Sequence, residues 1–276
     1  MMTEKQYLDC IRLLRQRRPL IHCITNGVSL NDCANILLAA GAKPVMAEAP
    51  QESAEITAHS DGLVLNIGML TELKLEAMLR SAKAAKQHGI PVMLDPVGVG
   101  ATAFRRQAVR EILATGAVTV IRGNLSEISV LASLDASISP VENGLTGGRP
   151  PADVPGASAP DHAAAAAAAH YGCCAAVTGE TDWVSDGKQS FPLRGGSILL
   201  TKVTATGCMT SALIGAFLAA MPDKAALSAA CGIQMMNRAG EYAAKVSGGK
   251  LGSFHTALFD AVSMAGMQPE EGVLLL

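Results

Sequence analysis

One short turn of the sequence combines a potential anion site with a reactive side chain. The stretch Thr204-Ala-Thr-Gly-Cys208 comes just before a small, apolar helix pattern, Ser211 to Ala220. Backbone N–H groups at a helix start are unpaired and lie at the positive end of the helix dipole, which favours phosphate binding. The same setting should lower the pKa of the Cys208 thiol and make it a candidate base. A plain helix cap with a buried cysteine is the alternative. The candidate anion site consists of Ala205, Thr206 and Gly207.

Two carboxylates and one arginine elsewhere in the chain have the chemistry to complement such a turn. Asp95 follows an apolar run and precedes the glycine-rich loop Pro96 to Gly100, which favours a functional carboxylate over a turn residue. Glu127 together with Asp95 could order Mg²⁺ through waters, because Mg²⁺ takes only one or two protein carboxylates. Asn124 and Glu127 equally fit a helix-capping pair, and their spacing leaves both interpretations open. Arg122 could clamp phosphate oxygens with its fork of donors.

These residues lie within a repeating pattern of strands and helices. Short, continuous apolar runs alternate with helical patterns from residue 20 onward. This alternation predicts an α/β three-layer fold, in which a mostly parallel central sheet is flanked by helices. The predicted strands are 20–24, 44–47, 62–67, 91–94, 117–121 and 173–177. The predicted helices are 3–18, 30–40, 52–59, 71–88, 103–114, 163–169, 211–220, 225–245 and 253–265.

Three local features stand out from this alternation. Residues 135–162 are rich in Gly and Pro and predict a surface loop, most of it without regular structure. The strand and helix pattern resumes directly afterwards, so we expect one domain spanning residues 1–276. Asp161 is expected to cap the helix that follows the loop. The runs 183–185 and 189–193, joined through Asp186-Gly187, predict a hairpin with a type I′ turn.

The polar residues that end the strands should meet at one edge of the sheet. In open parallel sheets, ligands bind beyond the carboxyl ends of the strands. Asn and Gly also end strands for turn reasons alone, so each of these residues has a structural alternative. The strand-end residues are Asn26, Met46, Asn66, Asp95, Arg122, Asn124 and Thr178.

Composition and charge disfavour several classes of protein. Hydrophobic residues make up 49% of the chain and charged residues 17%, as expected for a globular protein. A net charge of -2 and an aromatic content of 3% disfavour binding to nucleic acid or acidic membranes. The sequence predicts neither a signal peptide nor a membrane span. The seven cysteines include no CxxC pair and predict reduced thiols in a cytoplasmic protein.

Six motifs occur in a fixed order between about residues 20 and 260. They are Ile24–Asn35, Leu63–Gly68, Leu94–Phe104, Ile121–Ile128, Thr178–Asp182 and Thr201–Cys208. Together they resemble the motifs of the hydroxyethylthiazole kinase family, which belongs to the ribokinase-like superfamily. The resemblance is weakest around residues 140–160.

The resemblance implies a reaction in which ATP phosphorylates the primary hydroxyl of 4-methyl-5-(2-hydroxyethyl)thiazole for thiamine biosynthesis or salvage. It also implies a ribokinase-like fold, a requirement for Mg²⁺, and homotrimers with active sites at the subunit boundaries. By motif position, the thiazole would be contacted by Met46, Asn26 and Ala205, and ATP would be bound by Arg122, Thr178 and Asn124. Mg²⁺ would be organised by Asp95 and Glu127. The anion hole would be formed by Ala205, Thr206 and Gly207, beside the catalytic Cys208.

Two positions carry specific expectations from this resemblance. The family often has glycine where this chain has Ala205, so we expect the added methyl group to narrow the backbone's approach to phosphate. Many ribokinase-like kinases carry Asp where this chain has Cys208. Because a thiolate is a weak base for an alcohol, we expect Cys208 to orient the hydroxyl and accept its proton late.

Three other functions are compatible with the same residues. One is a ribokinase-like kinase that acts on a pyrimidine or vitamin B6 alcohol. A second is an ATP-dependent repair dehydratase on the same fold, and a third is a non-catalytic nucleotide or thiazole binding module. The joint presence of Asp95, Glu127, Arg122 and Cys208 disfavours the binding module. A substrate panel with ATP and Mg²⁺ would separate these functions.

Overall fold

A single eight-stranded sheet is the centre of the computed structural model, which describes residues 2–132, 134 and 159–266. Its strands are β1 (Leu20–Ile24), β2 (Lys43–Val45), β3 (Gly62–Asn66), β4 (Val92–Asp95), β5 (Val118–Asn124), β6 (Cys174–Thr178), β7 (Asp182–Ser185) and β8 (Ser190–Leu193). Their order is β2-β1-β3-β4-β5-β6-β7-β8. The pairings from β2 to β6 are parallel, whereas β7 and β8 pair antiparallel.

Helices cover both faces of this sheet. They are α1 (Glu4–Arg17), α2 (Leu30–Ala40), α3 (Ser53–Ala58), α4 (Glu72–His88), α5 (Ala103–Ala114), α6 (Leu125–Ala132), α7 (Pro160–Tyr171), α8 (Thr206–Ala220), α9 (Ala225–Ser247) and α10 (Leu251–Met264). One hydrophobic core contains α1, α2, α8, α9 and α10, and a second contains α4 to α7. The predicted three-layer α/β fold is therefore confirmed. Within the described residues, no helix is long and apolar enough to cross a membrane.

The register of the central strands aligns their polar ends. All residues of β3 and β4 are buried, as expected for parallel strands with helices on both faces. Asn66 lies opposite Asp95 at the ends of these two strands. Asn124 lies opposite Thr178 at the ends of β5 and β6. The predicted strand-end residues therefore form a row along one edge of the sheet.

Helix α8 packs unusually close to the sheet because glycine stands at the points of contact. A Cβ atom on Gly215 would lie 2.3 Å from Cγ2 of Val64 in β3. A Cβ atom on Gly62 would lie 3.0 Å from Cβ of Ala219. The helix begins at Thr206, earlier than the apolar pattern from Ser211 indicates, so its first turn starts directly at the candidate anion site.

The predicted cap at Asp161 is wrong. Helix α7 begins at Pro160, Ala159 occupies the N-cap position, and no side chain caps the helix there. Proline favours the first helical position because its fixed φ suits a helix and its missing N–H needs no partner. Asp161 lies in the first turn instead. Most of the predicted loop 135–162 lies outside the described residues.

The predicted hairpin is present, but its turn differs from the expected type. β7 and β8 pair with Ser185 opposite Ser190, which leaves a four-residue loop instead of two residues. In this loop Gly187 has a positive φ of 84° whereas Asp186 does not, so the turn is not type I′. Oδ1 of Asp186 instead accepts the backbone N–H groups of Lys188 and Gln189. The aspartate side chain therefore organises the loop.

Candidate active site

The turn before α8 leaves its first backbone N–H groups without a capping side chain. Ala205 is the N-cap residue, with a left-handed φ of 69°. The Thr206 hydroxyl donates to the carbonyl oxygen of Leu200 at 2.8 Å and so fixes the turn against the preceding 3-10 helix, Ile198–Lys202. Uncapped N–H groups and the helix dipole make this helix start a suitable site for phosphate.

Arg122 connects this turn to the ends of three strands. Nη1 donates to the carbonyl oxygen of Gly207 at 3.1 Å, and Nη2 donates to Oγ1 of Thr178 at 2.6 Å. Nη1 also lies 3.8 Å from Oδ2 of Asp95. Within the described residues, the buried Nε atom has no hydrogen-bond partner. A buried donor without a partner is rare in folded proteins, and this one lies beside the candidate anion site.

Asp95 is a buried carboxylate with an unusual pKa. Asp95 is 1% exposed. Its Oδ2 atom accepts hydrogen bonds from Oγ of Ser211 at 2.7 Å and from Nδ2 of Asn66 at 3.1 Å. Burial raises its pKa to about 7, with the nearby Glu127 adding to the rise. Arg122 and the two hydrogen bonds oppose this rise but do not cancel it. Near neutral pH the group is therefore poised between its two protonation states.

Glu127 is held by backbone N–H groups on both carboxylate oxygens. Oε2 accepts the N–H of Asn124 at 2.8 Å, and Oδ1 of Asn124 accepts the N–H of Glu127 at 2.9 Å. These reciprocal bonds show that the predicted capping pair forms. Oε1 accepts the N–H of Gly98 at 2.9 Å, which brings the glycine-rich loop against α6. Glu127 therefore holds the loop after Asp95 in place.

The same two carboxylates provide a limited set of metal ligands. Among the residues that the structure describes, no group of three or more His, Cys, Asp or Glu side chains could hold a metal ion. Mg²⁺ commonly binds through one or two carboxylates, with waters and substrate phosphates completing its ligands. Asp95 and Glu127 therefore fit a Mg²⁺ ion that arrives with a nucleotide, and they do not form an all-protein metal cage.

The expected lowering of the Cys208 pKa is wrong. Burial raises the thiol pKa, and the carboxylate of Asp95 raises it further. Hydrogen bonds from Ser29, Asn26 and Asn66 act in the opposite direction but are outweighed. Desolvation and a neighbouring negative charge therefore dominate over the position at a helix start. The thiol is mostly protonated at neutral pH.

Two buried asparagines position the sulfur atom. Nδ2 of Asn26 lies 3.3 Å from Sγ of Cys208, and Nδ2 of Asn66 lies 3.2 Å from it. The two amides also bond to each other at 3.2 Å. Oδ1 of Asn66 accepts the backbone N–H of Gly68 at 2.9 Å, which fixes the orientation of its amide. The sequence predicts Asn66 at this edge but indicates no role for it. Its place at the end of an apolar run, like that of Asp95, was the available signal.

Met46 and Thr178 mark the two ends of the row. Met46 directly follows β2, is partly buried, and packs against the hydrophobic core on the α8 side. Thr178 ends β6 and bonds to Arg122. The candidate site residues therefore extend across six neighbouring strands, with Asn26 and Cys208 on the Met46 side.

The sequence model of the hydroxyethylthiazole kinase family matches residues 11–267. The chain belongs to the hydroxyethylthiazole kinase family.

Individual members of the hydroxyethylthiazole kinase family match nearly the whole chain. A hydroxyethylthiazole kinase from Ruminiclostridium cellulolyticum is 44% identical over 262 residues, covering 94% of this chain and 92% of the relative. The solved structure of a hydroxyethylthiazole kinase from Pyrococcus horikoshii superimposes with a TM-score of 0.82 at 36% identity, covering 94% of this chain and 93% of that chain. A ribokinase-like superfamily protein from Enterococcus faecalis shares the fold alone, with a TM-score of 0.55 at 13% identity and coverage of 95% and 90%. The predicted ribokinase-like fold is thus confirmed.

The backbone at position 205 has a conformation that suits glycine better than alanine. A left-handed φ is readily adopted by glycine, whereas a Cβ atom makes it unfavourable by roughly 1–2 kcal/mol. Ala205 adopts this conformation in the present chain. The methyl group of Ala205 also takes space from an approaching phosphate, as the sequence predicts. The backbone strain at Ala205 is a separate effect, which only the φ value reveals.

Proposed function

We propose that this protein transfers the γ-phosphoryl group of ATP to the primary hydroxyl of 4-methyl-5-(2-hydroxyethyl)thiazole. The product would be the thiazole phosphate used in thiamine biosynthesis or salvage. The observation that carries the proposal is the continuous contact of Asn26, Asn66, Cys208, Asp95 and Arg122 at the start of α8. Membership of the hydroxyethylthiazole kinase family supports this choice of acceptor.

In this proposal the start of α8 binds the phosphate being transferred. The N–H groups of Ala205, Thr206 and Gly207 would donate to its oxygens, and Arg122 would stabilise its developing charge. Thr178 and Asn124 would contact ATP from the neighbouring strand ends. Thr178 already fixes one end of the Arg122 guanidinium at 2.6 Å. Phosphoryl transfer depends mostly on such positioning and charge stabilisation, with little covalent work by the protein.

Asp95 and Glu127 would hold Mg²⁺ together with the phosphates of ATP. The bound ion would neutralise charge on the phosphates and orient them. Glu127 holds the Gly98 loop beside Asp95, so the two carboxylates keep a fixed relation to each other. Burial raises the pKa of Asp95, and a cation bound beside it would lower that pKa and so favour the ionised form.

Cys208 would face the acceptor hydroxyl. The thiol would orient the alcohol by hydrogen bonding, and only the molecules that carry the thiolate would accept the alcohol proton, late in the reaction, as the alcohol oxygen bonds to phosphorus. Asn26 and Asn66 donate hydrogen bonds to Sγ and so stabilise it when it carries negative charge. This arrangement supports an orienting role with a modest contribution as a base.

The thiazole ring would lie between Asn26, Met46 and Ala205, at a site completed by a second subunit of a homotrimer. Large apolar side chains are exposed near the Asn26 turn: Val28 is 60%, Met69 57% and Leu73 65% exposed. Exposed apolar surface beside a substrate site supports a subunit contact there. The seven cysteines are free thiols, which supports a cytoplasmic location.

A substrate panel with ATP and Mg²⁺ tests the proposed function. The thiazole alcohol, a hydroxymethylpyrimidine, a vitamin B6 alcohol and hydrated NADH would be incubated separately, with phosphorylated product followed by mass spectrometry. We expect phosphate transfer with the thiazole alcohol and much slower transfer to the other two alcohols. Repair of hydrated NADH with release of inorganic phosphate would instead identify a dehydratase. Preferred phosphorylation of a pyrimidine or vitamin B6 alcohol would overturn the assigned acceptor.

A further inference from the structure

Lys74 in α4 is a nearly buried lysine with two partners. The residue is 8% exposed, and its Nζ atom donates to the carbonyl oxygen of Thr25 at 3.0 Å. The same atom lies 3.0 Å from Oε2 of Glu48, whose side chain is 55% exposed. A charged ammonium group is unfavourable in the protein interior unless it is paired and hydrogen-bonded. The carbonyl oxygen of Thr25 and the carboxylate of Glu48 supply partners of this kind.

The two partners of Lys74 belong to the two segments proposed to contact the thiazole. Thr25 directly precedes Asn26, whose amide donates to Sγ of Cys208. Glu48 follows Met46 by two residues in the segment after β2. One ammonium group thus joins the Asn26 turn to the Met46 segment.

His22 holds the same segment from the sheet side. Its Nε2 atom donates to the carbonyl oxygen of Ala47 at 2.7 Å, and its Nδ1 atom lies 2.8 Å from Oγ1 of Thr57. The His22 side chain is fully buried in β1. Two buried side chains therefore hold this segment in place: His22 binds Ala47, and Lys74 binds Glu48.

The outer side of this segment borders open space, with Glu48 and Ala49 exposed. A cavity of about 370 Å³ adjoins it, lined by residues 48–51 together with Thr71, Leu73 and Lys74. A segment that borders open space depends on specific polar contacts for its position, because fewer side chains pack against it. Lys74 provides such a contact on the cavity side.

We propose that Lys74 is a positioning residue for the acceptor substrate, setting the distance between the Asn26 turn and the Met46 segment. The inference rests on the proposed function, in which these two segments contact the thiazole. Lys74 acts through its partners and does not touch the reacting atoms. Loss of its ammonium group should therefore weaken binding of the thiazole alcohol while leaving the nucleotide side of the site intact.

Lys74→Met tests this role because it keeps most of the aliphatic stem and removes the donor. The matched control is Lys86→Met on the same helix, where Nζ also donates to a backbone carbonyl, that of Thr115, at 2.8 Å. Calorimetry would measure binding of the thiazole alcohol and, separately, of a non-hydrolysable ATP analogue with Mg²⁺. We expect the dissociation constant of the thiazole alcohol to rise about tenfold in K74M and to stay within about twofold in K86M. The ATP-analogue constant should stay unchanged in both variants.

Glu48→Gln provides a second variant with less risk to folding, since it removes the ion pair at an exposed side chain and leaves the bond from Lys74 to Thr25. We expect a smaller rise in the thiazole dissociation constant, and in turnover a larger change in KM for thiazole than in kcat. Equal weakening of thiazole and nucleotide binding would overturn the positioning role. Unchanged thiazole binding in K74M would also overturn it. If K74M does not fold, unchanged thiazole binding in E48Q would do the same. A wild-type protein that binds no thiazole alcohol would instead reject the proposed function, and this inference with it.

Discussion

The side-chain amide of Asn66 donates to two groups at once, Oδ2 of Asp95 at 3.1 Å and Sγ of Cys208 at 3.2 Å. An amide nitrogen carries two protons, so both bonds form together. Its Oδ1 atom is occupied by the N–H of Gly68, which prevents the amide from turning over. Asn66 therefore sets the separation between the carboxylate proposed to organise Mg²⁺ and the thiol proposed to face the alcohol.

Asn66→Asp should lower kcat by about tenfold or more, because it replaces the shared donor with an acceptor of the same shape. The new carboxylate would face both Asp95 and the sulfur, so the two hydrogen bonds that the amide donates would be lost. Steady-state kinetics at saturating ATP would measure the effect. Asn35→Asp is the control, since Nδ2 of Asn35 bonds to the exposed Asn31 at 2.8 Å. Equal turnover in the two variants would contradict the role given to Asn66.

Cys208→Ala should reduce turnover by about tenfold, whereas Cys208→Asp should retain or raise it. Because burial raises the thiol pKa above its ordinary value, the thiolate fraction keeps increasing as the pH rises to 9. Above about pH 8, where Asp95 is already mostly ionised, the kcat of the wild-type protein should therefore increase with pH, and that of C208D should not. Cys173→Ala changes a cysteine directly before β6, at the end of that strand far from Thr178, and should leave turnover unchanged. Undiminished turnover in C208A would remove the proton-accepting role.

Glu127→Gln should raise the Mg²⁺ concentration needed for half-maximal rate by about tenfold, since a neutral amide is a poorer ligand for a hard cation. Binding of the thiazole alcohol should change little. The variant should also lose about 1 kcal/mol of stability, because a single amide oxygen cannot replace both carboxylate oxygens in the bonds to Asn124 and Gly98. Glu111→Gln on α5 is the control. A magnesium titration identical to that of E111Q would argue against metal binding by Glu127.

Ala205→Gly should increase the free energy of unfolding by about 1 kcal/mol, because glycine adopts the left-handed conformation at the start of α8 without a steric clash. Chemical denaturation would measure the change. Ala166→Gly, at an exposed position within α7, is the opposite case and should reduce stability by about 1 kcal/mol. A loss of stability in both variants would show that φ at Ala205 is not strained.

Asp95 should make the protein less stable as the pH rises from about 4 to about 7 in metal-free buffer. Its pKa is raised to about 7 in the folded state, so over this range the unfolded chain releases the proton while the folded chain retains it. Each unit of difference between the folded and unfolded pKa of Asp95 corresponds to about 1.4 kcal/mol of stability. The loss of stability due to Asp95 is fully developed above pH 7. Asp95→Asn removes the titration, so its stability relative to the wild type should increase across this pH range. A constant difference between the two proteins would contradict the raised pKa.

The fold and the row of site residues could be predicted from the sequence because both follow from local patterns. Buried parallel strands require continuous apolar runs, and ligands bind where such strands end, so Asp95, Arg122 and Thr178 were expected together. The spacing between Asn124 and Glu127 likewise predicted a capping pair, which the structure contains.

The remaining features depend on contacts between distant parts of the chain. The pKa of Cys208 is determined by burial and by Asp95, which lies in another element. The strain at Ala205 is a backbone property that residue type does not indicate. Lys74 resembles any other lysine on an amphipathic helix until its distances to Thr25 and Glu48 are measured.

Because α8 packs closely on the sheet, the distance between helix and sheet helps to set the geometry of the proposed phosphate site. Gly215 touches β3 about nine residues from Thr206, or roughly 14 Å along the helix axis. A methyl group added at Gly215 would push α8 away from the sheet and move its first turn away from Arg122. The geometry of the proposed site therefore depends in part on a contact that no substrate reaches. Substitutions at that contact can change activity without altering any residue that touches the substrate.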